Sequence, residues 1–384
     1  MTVWNDFLAH TLADKRAQDN ERSLTPMARD GLYAEVAGQR LLNLAGNDYL
    51  ALGTRNEWQR EFGQQLEAQG QYWSSSSSQL LTGHSPLHQQ LETTLARLFQ
   101  REAALTFASG YQMNFGLLNA LSTGKVLILA DKLVHASMVD GLLISKAKFL
   151  RYRHNDMTHL HALLCQYHAA FERIIIVTES VFSMDGDIAD LQQLVAFKRE
   201  FANVALYVDE AHAIGVRGES GLGCAEEQGC VAEIDFLVGT FGKAVHSVGG
   251  YVVCSRLARD YLINHMRPLI FSTALPPINM AWTDFVLQRL HSLQAERSHL
   301  QQLSRALIAK VNTLQGHCVS QSHIVPVLCG SNAAALAQAQ ALREHDMLVM
   351  AVRPPTVPKN QARLRISLNA GLSHEQLDAL MACL

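Results

Sequence analysis

The chain has 384 residues, a formal net charge of -3, 48% hydrophobic and 17% charged residues, a composition that fits a globular protein with a large core and two or three domains. The near-neutral balance gives no reason to expect nucleic acid or an anionic membrane as a partner, and no apolar run approaches the length of a membrane span. The opening Met1-Thr-Val-Trp-Asn-Asp lacks a secretory core, and seven scattered cysteines without a Cys-x-x-Cys pair read as reduced thiols, so the expected compartment is cytoplasmic.

Trp4, Phe7, Leu8 and Leu12 fall at helical spacing and predict an amphipathic helix over 4–19. A small β unit is expected over 32–44, turning at Gly38. From about residue 85 helical and strand patterns alternate, beginning at Ser85-Pro86, a capping residue followed by proline at the first helical position. Apolar runs predict buried strands at 103–107, 126–130, 174–179, 205–208, 235–240 and 251–255. Helical stretches separate most of them, which predicts an α/β fold with a mostly parallel central sheet covered by helices. After Pro276-Pro277 a helical region over 278–314 precedes strands at 323–328, 348–352 and 363–368 and a terminal helix. The expected division is an N-terminal helix and β segment (1–45), a large α/β domain (46–277) and a small α+β domain (278–384). Ser74–Ser78 is the one low-complexity run and is expected as a loop near a site.

Two strand ends carry the most telling chemistry. Asp209 closes the apolar run 205–208, where a carboxylate is costly unless it meets a cation or a donor. Lys243 lies just past the run 234–238, in the turn Thr240-Phe-Gly-Lys243. An acid and an amine at neighbouring tips suit pyridoxal phosphate, the acid pairing with the ring nitrogen and the amine forming a Schiff base; a structural ion pair would give the same pattern. Ser109-Gly110-Tyr111 joins a strand to a helix start, where unpaired backbone N–H groups suit a phosphate, although glycine there also serves a tight turn. His135 follows the run 126–130 and would either stack on a planar ring or bond within its own loop. Ser183 lies beyond the run 174–179, before the Asp185-Gly186 turn. These segments all sit at the strand ends where open α/β sheets bind ligands.

Other patterns carry less. The segment Gly239 to Ala244 lacks the spacing of a P-loop, and Gly218, Gly221 and Gly223 do not form a dinucleotide fingerprint. His161, Cys165 and His168 are spaced to share a helix face, read as half-solvated rather than metal-binding, and no metal is expected. Arg363, Arg365 and Ser367 alternate with Leu364, Ile366 and Leu368, which predicts a strand burying one face. The other face would offer guanidinium groups to a carboxylate, or simply guard an exposed edge with charge.

With these residues assembled, the chain resembles the α-oxoamine synthases, a family of fold-type I pyridoxal-phosphate transferases. The resemblance runs through Asn47-Asp48-Tyr49-Leu50, Gly83-His84, Ser109-Gly110, His135-Ala-Ser, His154-Asn155-Asp156, Thr178-Glu179, the segment 182–187, Asp209 with His212, Thr240-Phe-Gly-Lys243, Ser272-Thr273 and the run 353–358. It implies that Lys243 holds the cofactor, Asp209 keeps the pyridine nitrogen protonated and His135 stacks on the ring. His212 and Ser183 would contact the phenolic side of the ring, with Thr240 and the Gly110-Tyr111 amides on the phosphate. Arg22, Asn47, His135, Thr356 and Arg365 map to substrate-binding positions, Arg365 taking the amino-acid carboxylate. The implied reaction is decarboxylative condensation of L-alanine with a pimeloyl thioester, carried on coenzyme A or acyl carrier protein, in a homodimer with sites at the interface. A sister synthase using glycine and another acyl-CoA shares the same cofactor residues. His246, where the family has a small residue, and Ser74–Ser78, where it is glycine-rich, are departures.

Overall fold

The apolar runs assemble into a seven-stranded sheet in a computed structural model, which describes residues 2–69 and 73–384. The chain forms two compact units: Arg55–Ser183 with Ile188–Ser298, and Met1–Thr54 with Met184–Asp187 and His299–Leu384.

The first of these units holds the large sheet. Its strands are β1 (Ala103–Phe107), β2 (Val126–Asp131), β3 (Lys148–Tyr152), β4 (Arg173–Glu179), β5 (Val204–Asp209), β6 (Phe236–Thr240) and β7 (Gly250–Cys254), in the spatial order β1-β7-β6-β5-β4-β2-β3. Parallel ladders join β3, β2, β4, β5 and β6, while β7 runs antiparallel to both β6 and β1. Six strands therefore point one way, and the C-terminal ends of β1, β2, β4, β5 and β6 reach one edge of the sheet. This is the mostly parallel, helix-covered sheet expected of a fold-type I chain. Ile128, Leu129, Ile174, Ile176, Val177 and Leu206 are almost fully buried, because helices cover both faces and no side of these strands needs to be polar. At about 1.5–3 kcal/mol for each such side chain, this core is the main driving term for the unit. The edge strand β3 was not expected: Lys148 and Arg151 point to solvent and break the apolar run. The helical region expected over 278–314 is two helices, Pro277–Leu287 and Gln294–Gln315, with a short 3-10 turn, Leu290–Leu293, between them.

The other unit carries the hairpin Tyr33–Val36 and Gln39–Asn43, turning at Ala37 and Gly38 with φ of 52° and 80°. It also carries a three-stranded antiparallel sheet in which Ala362–Ser367 lies between Ile324–Gly330 and Met350–Val352. Here the expectation of an exposed arginine face fails. The strand is central and all six of its residues are buried. Arg363 is held by Asp185 and Gln361, so it is not offered to a ligand. The helix Val3–Ala17 forms, capped by the Thr2 side chain, but none of its residues is buried and Trp4, Phe7, Leu8 and Leu12 stay exposed. Among the described residues no helix is long and apolar enough to cross a membrane.

Candidate active site

Asp209 ends β5 because the strand's hydrogen-bond ladder continues to that residue, pairing it with Glu179 on β4 and Val238 on β6. The next turn, Glu210 to Ile214, is closed by backbone bonds from Ala213 and Ile214 to the Glu210 carbonyl and brings His212 beside Asp209. Lys243 follows β6 in a turn that His246 closes, with φ of 53° and its N–H on the Lys243 carbonyl. The His246 carbonyl in turn accepts from Trp282 Nε1 at 2.9 Å, so this departure from the family is built into the turn that holds the lysine.

These tips enclose a cavity of about 180 Å³ lined by Asp209, His212, Thr240, Lys243, His135, Gly110, Tyr111, Asn114, Ser137 and Glu179. A single water needs about 10–15 Å³ by the same kind of measure, so the space suits a ring-sized ligand. Lys243 Nζ lies 2.8 Å from His212 Nε2. Asp209 is buried and accepts from Asn114 Nδ2 and the Ala211 N–H, both at 2.8 Å. Such donors replace the water an interior carboxylate has lost.

The helix Gly110–Ala120 opens at the cavity. Ser109 Oγ caps it by accepting from Gln112 N–H at 3.1 Å, and the first-turn N–H groups of Gly110 and Tyr111 have no intrahelical acceptor. A Cβ on Gly110 would lie 3.3 Å from Thr240 Cβ and 3.4 Å from its Oγ1, and one on Gly250 would lie 3.0 Å from Gly110 Cα. Only glycine lets the helix start approach β6 and β7 this closely. The resulting cradle of backbone amides beside a threonine hydroxyl has the donor chemistry of a phosphate site. The Thr240 hydroxyl, however, donates to the Gly249 carbonyl at 2.8 Å, so it must turn before it can donate to an anion.

His135 caps the helix Ala136–Ile144, its Nδ1 accepting from the Ser137 N–H at 3.2 Å and lying 2.8 Å from Ser137 Oγ. The ring bonds within its own loop, one of the two uses weighed from the sequence, and it also lines the cavity. Burial pushes its pKa down, with Asp209 opposing and Lys243 reinforcing that shift. Glu179 takes the His135 N–H at 2.6 Å, and burial followed by the charge of Asp209 raises its carboxyl well above the usual range while Lys243 opposes. Glu210 is fully buried and is pushed up to about 7 by burial, against donors from Ser180, Cys224 and Ala225.

The remaining candidates lie elsewhere. Ser183, in the loop past β4, does not line the cavity. Arg22, Asn47, Thr356 and Arg365 all belong to the other unit, where they form two sets. Arg22 Nη2 donates to Thr356 Oγ1 at 3.2 Å. Arg365, buried, donates to Ser367 Oγ at 2.6 Å, Tyr49 Oη at 3.3 Å and Asn47 Oδ1 at 3.4 Å, all neutral oxygens. His161 Nε2 pairs with Glu200 at 3.0 Å, and among the described residues no group of three or more His, Cys, Asp or Glu could hold a metal. Sequence reasoning missed Asn114 and Glu179 as parts of the site. Asn114 left no signal in the sequence beyond its place on the helix that starts at the amide cradle.

The family model for aminotransferase class I and II matches residues 39–384. A curated relative from Pasteurella multocida, named provisionally as an 8-amino-7-oxononanoate synthase, is 51% identical over 97% of both chains. A solved serine palmitoyltransferase from S. paucimobilis with a bound PLP–myriocin aldimine is 27% identical, with a TM-score of 0.89 over 100% of this chain and 97% of that one. The crystal structure of 8-amino-7-oxononanoate synthase from Francisella tularensis is 28% identical, with a TM-score of 0.72 over 89% of this chain and 96% of that one.

Proposed function

Because the chain belongs to the aminotransferase class I and II family, we propose that it is a cytoplasmic, pyridoxal-phosphate-dependent 8-amino-7-oxononanoate synthase. It would join L-alanine to a pimeloyl thioester, on coenzyme A or acyl carrier protein, releasing CO2 and the carrier thiol. The observation that carries the cofactor reading is that Lys243 and Asp209, on separate strand tips, line one cavity with an amide cradle at its side. The substrate assignment rests on the likeness to relatives of that name at about half identity along the chain.

The cavity's donors fit the cofactor: an amine for its aldehyde, an acid for its ring nitrogen, and helix-start amides for its phosphate. Bound there, pyridoxal phosphate supplies an electron sink for the pair released at the substrate α-carbon. Lys243 Nζ would hold the cofactor and would serve as the base for the substrate α-proton, with His212 Nε2 beside it as hydrogen-bond partner. Asp209 keeps the proton on the ring nitrogen, and its bonds to Asn114 and Ala211 hold the carboxylate in place for that work. His135 covers a face of the site. From the resemblance, Arg365 is the residue assigned to the amino-acid carboxylate, with Asn47, Arg22 and Thr356 as further substrate-binding residues.

A second copy of the chain is the partner this reading calls for. The exposed Trp4, Phe7, Leu8 and Leu12 supply an apolar helix face for it to cover, and light scattering will count the copies. The higher TM-score to serine palmitoyltransferase favours a second reading, a synthase using another amino acid with a long-chain acyl-CoA. The deciding assay mixes L-alanine, glycine or serine with pimeloyl, acetyl or palmitoyl thioesters and follows thiol and CO2 release. Turnover with alanine and the pimeloyl thioester at the highest kcat/KM is expected; preference for serine with the palmitoyl thioester refutes the assignment in favour of the second reading.

A further inference from the structure

Asn114 stands at a junction of the cavity wall. Its Nδ2 donates to Asp209 Oδ2 at 2.8 Å and to Ser137 Oγ at 3.1 Å, while its Oδ1 accepts from Tyr207 Oη at 2.5 Å. The amide orientation follows from chemistry, since a carboxylate can only accept and so must face the NH2 group. Tyr207 is fully buried, and burial with the nearby Asp209 charge raises its pKa well above the phenol value, so its hydroxyl keeps the proton it gives to Oδ1. Both amide hydrogens and one oxygen lone pair are therefore spent, and the amide cannot flip without losing three bonds.

The consequences reach both faces of the site. Ser137 Oγ, already accepting from Asn114, turns its own proton to His135 Nδ1 at 2.8 Å, the same nitrogen that accepts the Ser137 backbone N–H. An Nδ1 that receives two donors carries no proton, so the proton sits on Nε2. On the other side, Asp209 Oδ2 is pinned by Asn114 while Oδ1 is pinned by Ala211.

We propose that Asn114 is a positioning residue whose single amide orients the Asp209 carboxylate and, through Ser137 Oγ, reinforces the tautomer that the Ser137 backbone N–H imposes on His135, so that His135 presents Nε2–H as a donor to an oxygen of the bound substrate. This deepens the function proposed above and rests on it for the identity of the ligand, but not for the tautomer. His135 acts here as a fixed neutral donor and not as a base that swaps protons through Nδ1.

The test reads histidine ring 15N shifts in the full-length protein, with and without pyridoxal phosphate, His135 being identified by the signal lost in His135→Gln. Wild type is expected to show the Nε2–H tautomer of His135 at neutral pH in both forms. Asn114→Ala is expected to shift the His135 ring signals, to weaken pyridoxal-phosphate binding about tenfold and to lower kcat/KM by about tenfold or more, the scale of a buried hydrogen bond left unmade. Ser137→Ala should shift the His135 signal while the bond from Asn114 to Asp209 remains; it also serves if Asn114→Ala does not fold. An Nδ1–H or doubly protonated His135 in wild type overturns the inference, and so does a His135 signal unchanged in both variants. If wild type binds no pyridoxal phosphate, the functional reading fails, and the tautomer in the cofactor-free protein still decides this one.

Discussion

Glu210, the residue after Asp209, offers a direct test of how burial competes with hydrogen bonding beside the site. Three donors point at its carboxylate, Ser180 Oγ at 2.5 Å, Cys224 N–H at 3.0 Å and Ala225 N–H at 2.7 Å, and each favours the anion. Burial outweighs them and lifts the group from its ordinary 4.5 to about 7. That displacement corresponds to about 3 kcal/mol. The sign follows from linkage: the folded chain holds the proton more tightly than the unfolded chain, so this contribution is complete below pH 4.5 and is lost as pH rises to about 7. Glu210→Gln has no proton to lose. Urea unfolding of wild type and variant at matched pH values cancels the other titrating groups, Glu92 included, which burial also raises to about 7. The stability difference should move by about 3 kcal/mol against wild type across that window, whatever fixed offset the lost acceptor introduces. A flat difference, or one that moves in favour of wild type, would mean that the donors win over burial, and the reasoning would be wrong.

Two further outcomes are expected. Gly110→Ala places a methyl against Thr240 where the neighbour must give by tenths of an ångström, so pyridoxal-phosphate affinity should fall about tenfold by absorbance titration, with thermal stability little changed. Asp185→Ala strips the partner from the buried Arg363 guanidinium and should cost about 3–5 kcal/mol, read as a lowered Tm; an unchanged Tm would show that the Gln361 contacts suffice.

The legible parts of this chain were those where local chemistry and local pattern coincide. Uninterrupted apolar runs such as 174–177 announce buried strands, and the groups just past them, Asp209, Thr240 and Lys243, must then share an edge if the strands are parallel. That inference needs no long-range contact, and the cavity follows from it. What stayed hidden depends on distant partners. Nothing near Arg363 in sequence shows that Asp185 will neutralise it, so an alternating arginine strand looked like an exposed edge when it is the centre of a sheet. Asn114 reads as an ordinary helical amide until Tyr207 and Asp209 close on it from β5. The strand Lys148–Tyr152 was missed because an edge strand need bury only part of itself.

The central claim is that Lys243 carries the cofactor. Pyridoxal phosphate added to the purified protein, borohydride to make the amine–aldehyde linkage permanent, and mass mapping of the resulting peptides test it most directly. The label is expected on the peptide containing Lys243, and Lys243→Ala should lose both the visible absorption band and the label. A label on a different lysine, or an unaltered band in Lys243→Ala, would contradict the account.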